Sequence, residues 1–370
     1  MKRDNTREAF LALVKAGLWE KDISLSEYDE IDFGIVLQLA QEQAVVGLVA
    51  AGLEHVKDVK IPQNVALEFV GNTLQLEQRN KAMNSFVSGI IERMRKADIY
   101  ALLVKGQGIA QCYERPLWRA CGDIDLFLSE ENYKKAKSFL LPIASLVEEE
   151  NKINLHQGVV IEPWTIELHG TLRSGLWRRV DSVVDEAQKE VFYSGTVRSW
   201  MNGNTQVFLP RADEDIVFVF SHILQHYFRV GIGLRQICDW SRLLWKYKDT
   251  INKKILEERI RKMGVVTEWK AFAALAVETL GMDTNAMPLF SNDIRWKKKA
   301  EKVLDVVMKT GNLGHNFDLS YQAKYTPFLR KIKTYSILTK ESLKHIAIFP
   351  LDSIKAWWYI TAKGINGCIQ

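Results

Sequence analysis

Gly122-Asp123-Ile124-Asp125-Leu126-Phe127-Leu128 is the stretch on which the reading of this chain turns. On a β-strand successive side chains alternate faces, so Asp123 and Asp125 point one way while Ile124 and Leu126 point into a core. Two carboxylates side by side on a buried strand repel each other and lose hydration. A hard divalent cation between them relieves both costs, and magnesium suits the task because it takes oxygen ligands and keeps room for phosphate oxygens. The plainer reading is that Asp123 ends a loop and Asp125 caps a backbone amide. The context of the motif has to decide between the two.

Upstream, Ile99-Tyr-Ala-Leu-Leu-Val104 reads as an apolar strand stopped by Lys105-Gly106-Gln107-Gly108, with a short helix over Ile109 to Tyr113 and a loop containing Pro116. Backbone amides of such a glycine turn can approach a triphosphate, and the helix that follows adds partial positive charge. Taken alone, a turn of this kind is common. The second strand runs from Ile124 to Leu128. Ser129 then caps a helix that carries Glu130 and Glu131 in its first turn and reaches about Leu141. Further strands are expected over Leu146 to Glu149, Gly158 to Ile161 and Thr165 to His169.

The order strand, glycine turn, helix, loop and acidic strand resembles the nucleotidyltransferase superfamily with the DNA-polymerase-β-type fold. The string Leu103-Val-Lys-Gly-Gln-Gly-Ile-Ala-Gln-Cys-Tyr113, with Pro116, Arg119 and Gly122-Asp-Ile-Asp-Leu126, is similar more narrowly to a bacterial nucleotidyltransferase branch often found in polysaccharide-synthesis loci. The resemblance implies an α+β fold, a polymerase-β-like core with a mixed sheet flanked by helical regions. The limits expected are 1–84 for the N-terminal helical region, 85–210 for the core and 211–370 for the C-terminal helical region.

The activity implied is metal-dependent transfer of a nucleoside monophosphate from a nucleoside triphosphate to an acceptor hydroxyl, with two magnesium ions, or manganese in their place. Asp123 and Asp125 would be joined by a third carboxylate on a later strand. Glu167, between Ile166 and Leu168, matches best and would bind the catalytic metal or act as base; the plainer and less favoured reading is a strand-edge glutamate facing water. Glu162 competes, but Pro163 breaks its ladder. Lys105, Gly106, Gln107, Gly108, Arg119 and Gly122 are the nucleotide-binding candidates, with Arg119 placed in its loop to grip phosphate oxygens. Arg235 is a secondary one. The chain departs from the superfamily pattern at Gln107, where a serine or glycine is usual, and at Gly122, where an apolar residue is.

Two further groups draw notice. His169 shares a face with Glu167 and would orient it or touch substrate, unless it is a satisfied structural histidine. His222, His226 and Arg229 share one helix face. Without a third ligand the histidine pair reads better as a pocket wall than as a metal site.

The remainder bounds the class of protein. The 370 residues are 47% hydrophobic and 26% charged, with a formal net charge of +5, as expected of a globular chain with a sizeable core. Basic runs at Arg295 to Lys302 and at Arg330, Lys331 and Lys333 could meet phosphate or lipid, but read more simply as solvated helix faces. Four scattered cysteines suggest neither a disulfide frame nor a zinc site, and with no signal-peptide or membrane-spanning pattern the expected location is the cytoplasm. Ile346 to Leu351 and Ile354 to Thr361 are rich in large apolar groups, which suits docking onto the protein's own body or peripheral membrane contact. The resemblance implies a small molecule or glycan precursor as acceptor in preference to protein or RNA, and Trp177-Arg-Arg179 is the nearest approach to an RNA-binding feature. The rivals are a non-catalytic nucleotide- or partner-binding module on the same fold, a metal-dependent phosphohydrolase and a scaffold.

Overall fold

A computed structural model describes residues 5–316, 336, 339 and 345–369. The chain starts with three helices, α1 (Asn5–Trp19), α2 (Phe33–Glu42) and α3 (Val46–Glu54). Asp32 caps α2 by accepting from the amides of Gly34 and Ile35, which satisfies donors that the first turn leaves without partners. The helices α1 and α3 cross at glycines: a Cβ on Gly17 would stand 1.9 Å from the Leu48 carbonyl oxygen, and one on Gly52 2.1 Å from that of Leu13.

Helix α4 (Gln63–Lys96) then runs for 34 residues from the helical region to the flank of the sheet. Its inward stripe includes Phe69, Thr73, Asn80, Met83, Val87, Ile90, Ile91 and Met94. Leu74, which by period belongs to that stripe, is 53% exposed. Thr73 and Asn80 take the inner positions, and the buried Asn80 amide donates to the carbonyls of Leu117 and Arg119 at 2.8 Å. A buried amide holds its place through such bonds, and here they pin the loop that leads to the acidic strand.

Seven strands follow among the described residues: β1 (Leu102–Val104), β2 (Ile124–Phe127), β3 (Leu146–Val147), β4 (His156–Ile161), β5 (Trp164–His169), β6 (Arg198–Asn202) and β7 (Thr205–Leu209). Their order is β3-β4-β5-β2-β1-β7-β6. The pairs β2–β5 and β1–β7 are parallel and the rest antiparallel, so the sheet is mixed and the fold α+β. The first strand is shorter than its apolar run, and the helix after it, α5 (Gly106–Ala110), begins at the glycine turn itself. Helix α6 (Glu130–Leu140) starts where Ser129 accepts from the Asn132 amide.

The two faces of the sheet separate by residue parity. Leu103, Ile124, Leu126, Ile166 and Leu168 pack against α4 and α6. Leu102, Val104 and Phe127 face the other way, into the larger core with α7 (Arg178–Tyr193) and α8 (Ala212–Arg229). Phe127 meets Phe192 and Phe218 with ring centroids 4.6 and 5.9 Å apart. Asp123 and Asp125 share the parity of Phe127, so they too face α8.

Helices α9 (Leu234–Tyr247), α10 (Lys253–Met263), α11 (Val266–Ala274) and α12 (Ile294–Thr310) complete the larger core. The three acids opening α8 are buried. Asp213 accepts from the Asn252 amide, Glu214 pairs with Arg259 and Arg211, and Asp215 pairs with Arg198. The basic run on α12 is an ion-paired surface: Arg295 binds Asp293 and Lys297 binds Glu278. Arg330, Lys331 and Lys333 lie outside the described residues. The last helix described, α13 (Pro350–Ile369), follows the buried Ile348 and Phe349, the latter packed against Tyr227 and Phe228, while Leu351, Ile354 and Trp358 are exposed. No helix among the described residues is long and apolar enough to cross a membrane.

Candidate active site

The acidic motif is presented by the centre of the sheet. Val104 pairs with Asp125 across β1–β2, and Asp125 pairs with Glu167 across the parallel β2–β5 ladder. Register therefore sets the Glu167 side chain beside that of Asp125. His169, opposite Phe127 in the same ladder, follows Glu167 by two residues and shares its face.

Lys105 follows β1 directly and takes a left-handed backbone (φ 54°), unfavourable for a side chain with a Cβ. Its ammonium donates to Asp125 Oδ1 at 2.8 Å, and His169 Nε2 lies 2.7 Å from that same oxygen. Burial would raise the Asp125 carboxyl, but Lys105 and His169 outweigh it and hold it below the ordinary range. His169 is itself raised, because Asp125 and Glu167 overcome the effect of its burial. Glu167 Oε2 stands 3.3 Å from Nε2 of both His156 and His169. Burial works against its charge, yet the two imidazoles keep it ionised.

Asp123 is different. It has no hydrogen bond or ion pair among the described residues, and repulsion from Asp125, then burial, then Glu167, pushes its carboxyl up to about 6. A divalent cation would discharge that repulsion, and the oxygens of Asp123, Asp125 and Glu167 are the hard donors it takes. The donor set thus fits a magnesium-type ion.

These groups line a cavity of about 430 Å³ between the sheet and α8–α9. The helices contribute Phe218, His222, His226, Arg229 and Arg235 to its wall. The His222 and His226 rings meet at 4.3 Å, and burial pushes both imidazoles down, His226 to about 4. Both line the pocket, the reading that the lack of a third ligand favours.

The other expected residues divide. Lys105 and Gly106 line the cavity, but Gln107, Gly108 and Gly122 do not. The Gln107 amide turns towards α4 and donates to Asn80 Oδ1 at 3.0 Å. Gly108 packs close to Leu209, and Gly122 is exposed on the loop. Arg119 is not an exposed loop arginine: it is 6% exposed and its guanidinium forks onto Asp239, at 3.0 and 2.6 Å. It borders the cavity, but the fork that would have gripped phosphate is spent on Asp239. Arg235 donates to the Ala120 carbonyl at 2.8 Å, with its Nε buried and lacking a partner among the described residues. Glu162 lies in the exposed turn between β4 and β5, away from the cavity.

His156 was not foreseen. A two-residue turn at Glu162-Pro163 pairs Ile161 with Trp164, and the same register carried outward sets His156 opposite His169. The turn residues were the available signal.

A mixed sheet with acidic side chains on adjacent central strands, facing a helix-walled cavity, defines an α+β protein with a nucleotidyltransferase-type core. Residues 29–281 match the family described as uncharacterised nucleotidyltransferase, and the chain belongs to that family. No curated protein and no solved structure matches the chain. Membership supports nucleotidyl transfer as the general activity and a nucleotide as substrate.

Proposed function

We propose that the protein transfers a nucleoside monophosphate from a nucleoside triphosphate to an acceptor hydroxyl, using divalent cations held by Asp123, Asp125 and Glu167. The observation that carries this reading is the direct pairing of Asp125 with Glu167 across β2–β5, with Asp123 on the same face. When bound, the cations would supply charge neutralisation along the phosphates and a lowered pKa at the acceptor hydroxyl.

The chain's own groups position the reactants. Lys105 brings a positive charge to the phosphates from beside Asp125. Gly106, with φ 34° and its Cα side open except for the Asp123 carbonyl, lets the triphosphate approach the backbone. His169 holds Asp125 Oδ1 in place. Glu167, kept ionised by its histidines, serves better as a ligand than as a strong base. The neutral His222 and His226 offer hydrogen bonds to base or acceptor. A cavity walled by α8 and α9 favours a small acceptor such as a glycan precursor over protein or RNA.

A second reading, binding without turnover, draws on one feature: Asp125 Oδ1 is already shared by Lys105 and His169. Pyrophosphate release separates the two. The protein with magnesium, each nucleoside triphosphate and a small-molecule cell extract is expected to release pyrophosphate, and Asp123→Ala/Asp125→Ala is expected not to. Nucleotide binding with no release from the intact protein would favour the second reading.

A further inference from the structure

The imidazoles around Glu167 supply no donor atom to a magnesium site built from oxygens, yet their geometry is that of a ligand set. Nε2 of His156, Oε2 of Glu167 and Nε2 of His169 converge, all three donor atoms lying within 4.8 Å of one another. Each nitrogen is 3.3 Å from the same glutamate oxygen. Two coordinate bonds of about 2.1 Å meeting at roughly 90–110° hold their donor atoms about 3.0–3.4 Å apart. The two separations from Glu167 Oε2 match such an edge. The β4–β5 register places the donors on one face of the hairpin, at its outer end, and all three residues line the cavity.

We propose that His156, Glu167 and His169 form a three-ligand site for a first-row transition-metal dication, zinc by preference, with its remaining positions open to the cavity. Two imidazoles and one carboxylate are the donor set of many open zinc sites, and nitrogen donors select such ions over magnesium. The His156 and Glu167 side chains are 31% and 29% exposed, which gives an ion a way in. An ion there takes the place of the proton that His169 Nε2 shares with Asp125 Oδ1, 2.7 Å away, and Glu167 is common to this set and to the carboxylate set. The inference goes beyond nucleotidyl transfer, since an ion at these donors requires no nucleotide.

The test is zinc titration of metal-free full-length protein against a chromophoric chelator, in excess magnesium and without nucleotide. One equivalent of zinc is expected to bind and to resist displacement by magnesium. His156→Ala and His156→Asn are each expected to weaken zinc binding by about 100-fold or more, while Asp123→Ala changes it by less than about tenfold. Cobalt bound in place of zinc is expected to show visible absorption bands that the His156 variants lose. If the intact protein binds no zinc, or both His156 variants bind it as tightly as the parent, the contacts are imidazole–carboxylate ion pairs and the site is refuted. Because the readout contains no nucleotide, that failure would leave the transfer reading untouched, and absence of transfer would leave this one standing.

Discussion

Asp123 and Arg119 show how far a residue's role depends on its neighbours. The folded protein raises the Asp123 carboxyl to about 6 from its ordinary 3.8, so it prefers the protonated form more than the unfolded chain does. The stabilisation of that form is complete below about pH 4 and is lost as pH rises through 6. Asp123→Asn is therefore expected to stabilise the metal-free protein at pH 8 by on the order of 1–3 kcal/mol, with no gain at pH 4, as read by urea unfolding. Equal effects at both pH values would mean that charge repulsion is not the cause. Arg119 invites the opposite prediction. Its fork onto Asp239 is buried, and Tyr113 donates to the same carboxylate at 2.7 Å. Arg119→Ala should cost about 3–5 kcal/mol of stability, because a charge is left buried without its partner. An unchanged unfolding midpoint would return Arg119 to the role of a free phosphate contact.

At the scale of elements, the sequence is legible where the signal is local. The alternation of Ile124-Asp125-Leu126 and the Ser129 cap carry their signal within a few residues. Long-range placement was less legible. Gln107 looks like part of a phosphate turn, but the side of the turn it faces depends on Asn80 of α4. The β6–β7 hairpin and α7 went unnamed, although Gly203-Asn204 is a two-residue turn signal between alternating segments; the pattern is weak because β6 is only partly covered. His156 needed register, not composition. The C-terminal helix shows a further device invisible in sequence. Burial, then Asp352 of α13, pushes the Glu268 carboxyl of α11 up to about 9. Its protonated form is stabilising, and that contribution is lost as pH rises through 9. The parent should lose about 1 kcal/mol more than Glu268→Gln between pH 8 and 10 in urea unfolding. An identical loss in both would show that Glu268 does not hold its proton.

The whole molecule places its chemistry at a boundary. The sheet provides Asp123, Asp125, Glu167, His169 and Lys105, while α8 and α9 close over them with histidines and arginines distant in sequence. The acidic strand and the family pattern are legible because they are contiguous, whereas the opposing wall is legible only at His222, His226, Arg229 and Arg235. Both sides are needed for a cavity in which nucleotide and acceptor meet. The most direct test of that account follows the phosphorus. Nucleoside triphosphates labelled at the α or the γ position are supplied with magnesium and a small-molecule extract to the parent and to Asp125→Asn. The account predicts α-label in a new product with the parent alone, and γ-label found only in pyrophosphate. Label from the γ position in the product, or α-transfer undiminished in Asp125→Asn, would contradict it.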